Sequence, residues 1–326
     1  MKTRYIIIII TCILLAFSAC KEKDDTALPS SLYVSGYTSM GGATLWKNGI
    51  ETALPGTANA RTTSLFVSGT DVYVTGFEDL NGSTAAVYWK SGTPNYLTNG
   101  ATAAQALDVW VSGTDVHVVG FESNGSKKVA MHWKNGVPYI LSSGLTDCEA
   151  NSICISGGDV YILLQETNAG NARYLKNGVP TTLTDPSNAQ LYANDIVVQG
   201  NDVYVSGYGD YNSIYTIAKY WKNGVRTNLG AGVYSSEART IFVSGTDIYV
   251  AGLEKNSNTF SVATYWKNGV AVSLPDGTDG YVNSTFVYCN DVYMAGETGM
   301  HAKYWKNGVP VDLSSDFSAL SGIVMK

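Results

Sequence analysis

The sequence is poor in charge and in the side chains that most often carry out chemistry. Only 15% of its 326 residues are charged and only three are histidines, whereas 45% are hydrophobic. This balance is typical of a folded globular chain and not of a disordered one. The body of the chain has no cluster of Lys and Arg, which a protein needs to neutralise nucleic-acid phosphates. We therefore exclude a nucleic-acid partner.

Cysteine is also scarce. Two of the five cysteines, Cys12 and Cys20, lie near the N-terminus, which leaves Cys148, Cys154 and Cys289 for the rest of the chain. Three cysteines permit at most one disulfide, and no CxxC or Cys/His spacing predicts a metal site. Cys154 falls in a predicted strand, where a small buried apolar residue explains it. We predict no metal and no cofactor, and the cysteine pairing stays open.

Long apolar runs are absent except at the N-terminus. There, residues 6–17 follow two basic residues and are too few to span a bilayer, which predicts a signal peptide over residues 1–19. Its removal takes Lys2 and Arg4 and changes the formal net charge from −6 to −8. Two small residues precede Cys20, and this pattern resembles the lipobox of bacterial lipoproteins. We predict lipidation at Cys20; the alternative is an ordinary secretory signal cleaved nearby.

A charged segment follows the cysteine. Residues 21–25 read Lys-Glu-Lys-Asp-Asp and resemble the tether that sends Bacteroidota-type lipoproteins to the outer face of the outer membrane. The resemblance implies that residues 20–30 are a lipidated tether and that the protein is exposed at the cell surface. A periplasm-facing anchor is the alternative. The membrane would then be a partner through Cys20, and the protein itself is expected to be a monomer.

An internal repeat of the form A-x-Y-W-K-N-G-V-x-x-x-L runs through residues 31–326 and occurs seven times. Each copy contains four short runs rich in Val, Ile, Tyr and Phe, and most carry Asn-Gly between the third and fourth, a strong hairpin signal. The sequence therefore predicts an all-β, seven-bladed β-propeller of four-stranded blades over residues 31–326. The central position of the repeat is held in turn by Trp46, Trp89, Trp133, Leu175, Trp221, Trp266 and Trp305.

The ring is predicted to close through its C-terminus. The first blade begins at Leu32 with a segment that matches the second strand of the other blades, so it lacks a first strand. Residues 319–326 align without a gap with residues 238–245, the first strand of blade 6. We predict that they complete the first blade and thereby remove the exposed sheet edges of an open array.

The core of the repeat resembles the short repeat of bacterial extracellular proteins of the HAF type. The similarity covers about a dozen residues per blade, and His301-Ala302 in blade 7 comes nearest to the His-Ala-Phe of those repeats. The resemblance implies an extracellular repeat protein and no particular activity.

The two faces of the predicted ring differ. One carries the tight turns that join the first to the second and the third to the fourth strand of each blade; we call it the turn-rich face. The other, the loop-rich face, carries the longer and more varied connections, where a ligand is expected. Six aspartates in the tight turns are interpreted as caps that accept local backbone N–H groups, not as calcium ligands. They are Asp71, Asp115, Asp159, Asp202, Asp247 and Asp291.

Two of the three histidines have a structural explanation. His117 and His132 occupy positions that hold tyrosine in most other blades, whereas His301 is placed in a short connection on the loop-rich face. No Ser/His/Asp or Cys/His set can be assembled around it, so no catalytic residue is assigned. Candidate ligand-binding residues are predicted on the loop-rich face. They are a partial ring of glutamates, Glu78, Glu122, Glu166, Glu254 and Glu297, together with Arg61, Arg239, Tyr192, Tyr281 and His301.

Two functions from different classes fit these features. The first is a non-catalytic binding or scaffold module of the cell envelope that takes a glycan or protein ligand on the loop-rich face. The second is a carbohydrate-active hydrolase or lyase that uses two of the glutamates as an acid/base pair. A propeller fold hosts both classes, so geometry has to separate them.

Overall fold

The computed structural model describes residues 31–326 except 40, 168–169, 186–189, 212–213, 231, 258–259 and 276–278. At 211 and 315–317 the backbone is described without the side chain. The predicted signal peptide, the predicted lipidation site Cys20 and the predicted tether lie outside the described residues. Within them the chain forms 27 β-strands, and no helix there has the length and apolarity needed to cross a membrane.

The strands form seven antiparallel blades, numbered here along the chain. Blade 1 takes β1 (Leu32–Thr38), β2 (Gly42–Lys47) and β3 (Ile50–Ala53). Blades 2 and 3 take β4 (Arg61–Ser68), β5 (Asp71–Leu80), β6 (Ser83–Lys90) and β7 (Thr93–Tyr96), then β8 (Ala104–Ser112), β9 (Asp115–Ser123), β10 (Lys128–Lys134) and β11 (Val137–Ile140). Blade 4 takes β12 (Cys148–Ser156), β13 (Asp159–Glu166), β14 (Asn171–Lys176) and β15 (Val179–Thr182).

The remaining blades repeat the same order. Blade 5 takes β16 (Leu191–Gln199), β17 (Asp202–Tyr211), β18 (Tyr215–Lys222) and β19 (Val225–Asn228). Blade 6 takes β20 (Ser236–Ser244), β21 (Asp247–Lys255), β22 (Ser261–Lys267) and β23 (Val270–Ser273). Blade 7 takes β24 (Gly280–Tyr288), β25 (Asp291–Thr298), β26 (His301–Lys306) and the first part of β27 (Val309–Met325). The seven-bladed propeller predicted from the repeat is confirmed.

The last strand closes the ring. After pairing with β26, β27 continues into blade 1 and pairs with β1 from Thr38↔Ser318 to Leu32↔Met325. The predicted closure is confirmed, but its alignment is displaced by one residue. Leu320, not Ala319, takes the place of Ala238, because both pair with a glycine of the second strand. This register keeps Ile323 in the buried position that Ile241 holds in blade 6.

The repeated tryptophans form the contacts between blades. All six are at most 1% exposed. Trp89 of blade 2, for example, packs with Tyr33, Ala43 and Leu54 of blade 1. Six blades bury this tryptophan against the preceding blade and blade 4 buries Leu175 in the same way, so each blade is stabilised by its neighbours in the ring.

The six turn aspartates join two turns of the same blade. The Asp115 carboxylate accepts a hydrogen bond from the Asn135 side chain at 2.9 Å and forms an ion pair with Lys134 at 2.7 Å. The other five aspartates form the same ion pair, which lowers their pKa. Our interpretation of these residues as caps of local N–H groups was therefore wrong. In blade 3 the Asn135 Oδ1 atom caps the turn by accepting from the Val116 N–H.

Candidate functional site

The innermost strand of every blade contains a bulge, and together these bulges shape the central channel of the propeller. In β20, Ala238 pairs with Gly252 and Thr240 pairs with Ala251, so Arg239 is left unpaired between them. The equivalent bulge residues of all seven blades surround the channel axis. They are Ser321, Thr63, Leu107, Asn151, Asn194, Arg239 and Asn283, in blades 1 to 7.

Glycine opposite the bulge makes this geometry possible. A Cβ atom on Gly252 would lie 2.0 Å from the Glu237 carbonyl oxygen, and one on Gly76 would lie 1.9 Å from that of Arg61. Six of the seven blades have glycine at this position, and blade 4 has Leu164. The bulged backbone therefore approaches the second strand more closely than a side chain usually allows.

Three cavities are stacked along the channel. The upper one, at the loop-rich face, has a volume of about 600 Å³, and we call it the mouth. The bulge residues form its floor and also line a middle cavity of about 130 Å³. The lower cavity, about 380 Å³, reaches the turn-rich side and is lined by Phe66, Trp110, Phe242 and Phe286 among other residues. The bulge ring therefore separates a polar mouth from an apolar lower end.

The floor of the mouth is held by hydrogen bonds between blades. The side-chain amides of Asn151 and Asn194 donate to the carbonyl oxygens of Ala193 and Ala238 in the following blade, each at 2.8 Å. Asn283 donates to Leu320 in the same way at 2.9 Å. These bonds fix the orientation of each amide, so the floor is preorganised before any ligand enters.

Aromatic side chains stand around the rim of the mouth. The Arg61 guanidinium lies 4.3 Å from the ring centre of Tyr37, and that of Arg239 lies 4.1 Å from the ring centre of Tyr281. Such cation–π contacts hold the planar groups in place. On blade 5, next to Arg239, Tyr208 lines the cavity and stacks on Tyr192 at 4.9 Å. Burial raises the pKa of Tyr208 to about 12, so its hydroxyl stays protonated at neutral pH.

The carboxylates at the mouth already have partners. Glu149 forms an ion pair with Lys128 at 2.5 Å, and Glu237 forms one with Arg239 at 3.3 Å. Glu297 is next to Tyr281, and burial raises its pKa although the hydrogen bond from Tyr281 opposes that rise. The mouth is therefore polar but close to neutral in charge.

Two carboxyl groups lie deeper, at the level of the middle cavity. The Ser152 hydroxyl is 2.9 Å from both the Asp108 and the Asp195 side chains. The Ser152 hydroxyl can donate its proton to only one of the two carboxyl groups. This favours a proton on the other carboxyl group, which can then donate to the Ser152 oxygen. Both groups are reached only through the channel, and desolvation raises the pKa of Asp108 and raises that of Asp195 to about 6.

The predicted ring of glutamates does not surround the channel as one set. Glu78, Glu122, Glu166 and Glu254 share one position of the second strand. Glu297 is one residue earlier in register, because it pairs with Tyr281 as Phe77 pairs with Arg61. Since side chains alternate along a strand, Glu297 projects from the opposite face of its blade. Of the five glutamates, Glu297 is the one that contacts a residue of the mouth, namely Tyr281.

The other four glutamates make contacts within and between blades. Glu78 is 1% exposed and accepts hydrogen bonds from Tyr96 and from the Thr57 N–H. The hydrogen bond to the Glu78 carboxylate raises the pKa of Tyr96 to about 12. Glu166 pairs with Arg173 at 2.6 Å, which lowers its pKa.

The last two lack such an ion pair. Glu122 accepts from Thr102 at 3.1 Å, and it lines a groove on the outer side of blades 2 and 3. Burial raises the pKa of Glu254.

The remaining predicted residues divide into two groups. Arg61, Arg239, Tyr192 and Tyr281 lie together at the loop-rich end, although on the innermost strands and not in the loops before them. His301 is the exposed first residue of β26, paired with Thr298.

His117 and His132 occupy tyrosine positions as predicted, and they contact each other at 3.0 Å. Burial lowers the pKa of His117 as well as that of His132.

Sequence reasoning missed part of the mouth: Tyr37, Glu149, Glu237 and the bulge asparagines. The sequence did contain a signal for the bulge. In most innermost strands, two residues stand between the apolar positions where strict alternation predicts one. Cys148 and Cys154 are both free and buried, so no disulfide joins them. In the described part of the chain, no group of three or more His, Cys, Asp or Glu side chains could hold a metal ion.

Comparisons with known proteins show the fold. No protein-family model matches the chain, and no curated protein does either. Among solved structures, the chain is similar to a putative 6-phosphogluconolactonase from Bacteroides uniformis ATCC 8492, with a TM-score of 0.54 and 14% identity. The similarity covers 91% of this chain and 99% of that one. At this identity the likeness is one of fold.

Proposed function

We propose that this chain is a lipoprotein of the cell envelope whose propeller is a non-catalytic binding module, with the mouth of its channel as the ligand site. The observation that carries the proposal is the mouth itself. Its volume of about 600 Å³ is in the range of ligand pockets, and it combines tyrosines, hydroxyls and amides on rigid strands. Glycan and protein ligands both suit such a surface.

The partners of the carboxylates favour binding over hydrolysis. A glycosidase needs one carboxyl group free to donate a proton and a second free to attack or to activate water. Glu149 and Glu237 are held in ion pairs at the mouth, and Glu78 is buried beneath Tyr96. Asp108 and Asp195, below the floor, accept hydrogen bonds from hydroxyl and backbone N–H groups of neighbouring blades. The name of the structural neighbour suggests lactone hydrolysis, but a likeness of fold at 14% identity carries no site residue across.

The binding site is tested with two tyrosines of the same strand. Tyr281 lies at the mouth end of β24, whereas Tyr288 lies at its turn-rich end. The soluble chain from Ala27 onward keeps the whole propeller and is applied to a glycan and polysaccharide array. Tyr281→Ala should weaken binding at least tenfold, about 1.4 kcal/mol, and the matched control Tyr288→Ala should not. Equal binding by both variants would place the ligand elsewhere.

The envelope location is tested at Cys20. Acyl chains contribute about 0.8 kcal/mol per buried methylene, so the several chains of a lipoprotein hold it on a membrane. In cells of the source organism, Cys20→Ala should abolish palmitate labelling and move the protein out of the membrane fraction. The neighbouring substitution Thr26→Ala should leave both unchanged. A labelled, membrane-bound Cys20→Ala variant would refute the anchor.

A further inference from the structure

The charges that line the mouth limit the class of ligand, provided that the mouth is the binding site proposed above. Its charged lining residues, as far as the structure describes it, are Glu149, Glu237 and Arg239. Glu149 is neutralised by Lys128, and Glu237 and Arg239 neutralise each other. Arg239 also donates to the Asn283 side chain at 3.0 Å.

The other cation of the rim, the Arg61 guanidinium, lies against Tyr37 and donates to the Ala58 and Ala60 carbonyl oxygens. At the floor, an anionic ligand would have to break the Glu237–Arg239 pair to reach a cation, and a cationic ligand would have to break one of the two pairs to reach a carboxylate.

The floor offers hydrogen-bond acceptors. Asn151 and Asn194 each use their side-chain N–H group to bond a carbonyl of the next blade. Because those bonds fix the amide planes, the two side-chain oxygens are held in place beside the cavity, and each keeps acceptor capacity. A ligand with several hydroxyl groups can donate to them without carrying any charge.

The rim offers flat apolar surfaces. Tyr37 and Tyr281 both line the mouth, and an arginine covers one face of each ring, so the other face is the one left for a ligand. A tyrosine ring presents a large apolar area at a low cost in conformational entropy, and its hydroxyl adds a polar contact. The C–H face of a sugar ring matches such a surface, whereas its hydroxyl edge matches the floor.

We propose that the mouth binds the end of a neutral glycan, which enters the channel end-on. The end-on direction follows from the shape of the channel. The acceptors lie at the floor, and the space below the floor shrinks to about 130 Å³. A chain lying across the rim would contact the tyrosines and leave the two asparagines unused.

The test uses calorimetry on the soluble chain with matched oligosaccharides. The set contains neutral tetrasaccharides of several sugars, the same chains with a terminal uronate or a terminal phosphate, and chains with both ends joined to a bulky group. We expect the neutral chains to bind at least tenfold more tightly than the charged or blocked ones. Asn194→Leu and Tyr281→Ala should each weaken that binding at least fivefold, and Tyr288→Ala should leave it unchanged.

Each other outcome overturns a stated part of the proposal. Equal or tighter binding of the uronate or phosphate chains contradicts the neutral class, and equal binding of the blocked chains contradicts end-on entry. If no oligosaccharide binds at millimolar concentration but a surface protein binds and is lost in Tyr281→Ala, the glycan class fails while the mouth remains the site. If neutral chains bind equally to wild type and to both mouth variants, the site and the ligand class both fail.

Discussion

His132 is held in a position that opposes its protonation. It lies on β10 between His117 and Tyr139, with Lys134 nearby, and burial is the main cause that lowers its pKa to about 4. Five other blades have tyrosine at this position, so the fold tolerates an uncharged aromatic side chain there. The histidine therefore makes the stability of this blade depend on pH, which a tyrosine at the same position of another blade does not do.

We predict that acid weakens the fold through His132. Histidine in an unfolded chain has a pKa of about 6.5. Between pH 6.5 and 4, His132 therefore binds a proton in the unfolded chain but not in the folded chain. The stability that the neutral ring contributes is complete above pH 6.5 and falls by roughly 3 kcal/mol by pH 4. His132→Tyr should remove this loss.

The measurement is the difference in urea midpoint between wild type and His132→Tyr at pH 7.5 and at pH 4.5. Titrating groups that do not contact His132 are common to both proteins and cancel in that difference. Asp195 is one of them, and its raised pKa acts in the opposite direction, because the folded chain loses stability as pH rises towards 6. His117 contacts His132, so the same comparison is also made in a His117→Tyr background. A difference that does not change with pH would contradict the assignment to His132.

Single positions also show how far the sequence could specify the site. Arg61, Arg239, Tyr192 and Tyr281 lie within the innermost strands near the loop-rich end, whereas the sequence placed them in the loops before those strands. The direction of each strand follows from the order of turns, but its first residue does not. Glu297 was grouped with four other glutamates on spacing, but it sits one residue earlier in the strand. Since the side-chain period of a strand is two, an error of one residue reverses the side on which a group lies.

Among the elements, the innermost strands were the hardest to predict. The gapless alignment of residues 319–326 matched Ala319 to Ala238 and was displaced by one, because Leu320 is the residue that pairs with the glycine beside the bulge. The signal was present in the second strand, where a glycine follows the apolar run in six blades. Only a close backbone approach explains that glycine, and it marks the bulge opposite. The outer strands, the Asn-Gly turns and the blade count needed only local pattern, and these were correct.

Two adjacent strands of blade 6 provide a test of packing between blades. Trp266 on β22 is 1% exposed and packs with Tyr204, Ile241 and Val250, whereas Val270 on β23 is 68% exposed. Trp266→Ala should lower the free energy of unfolding by roughly 3 to 5 kcal/mol, because it leaves a cavity between blades 5 and 6. Val270→Ala should change it by less than about 0.5 kcal/mol. Denaturant titration decides, and similar values for the two variants would contradict the packing described.

At the scale of the whole molecule, the ring depends on its last residues. Deleting residues 321–326 removes the strand that pairs with Leu32 to Ser35 and exposes the backbone of β1. We expect aggregation or a large cooperative loss of stability, because an exposed strand edge invites pairing with other chains. Deleting Lys326 alone keeps every strand pair up to Met325, removes only the two hydrogen bonds with Ser31, and should have little effect.

Size-exclusion chromatography, melting and hydrogen exchange over residues 32–54 report the result. If the shorter chain stays monomeric, melts where the full chain melts and keeps its protection there, the closure does not stabilise the ring.

The two ends of the described chain meet on one side of the propeller. Ser31 and Lys326 exchange two backbone hydrogen bonds, and Leu32 is bonded to the Asn48–Gly49 turn of the turn-rich face. If Cys20 is the lipid anchor proposed above, its tether joins the propeller at this face, and the eleven residues of the tether reach at most about 40 Å. The attachment point then lies at the end of the channel opposite to the mouth. A protein held in this posture would sample molecules that approach from the surroundings, not those embedded in its own membrane.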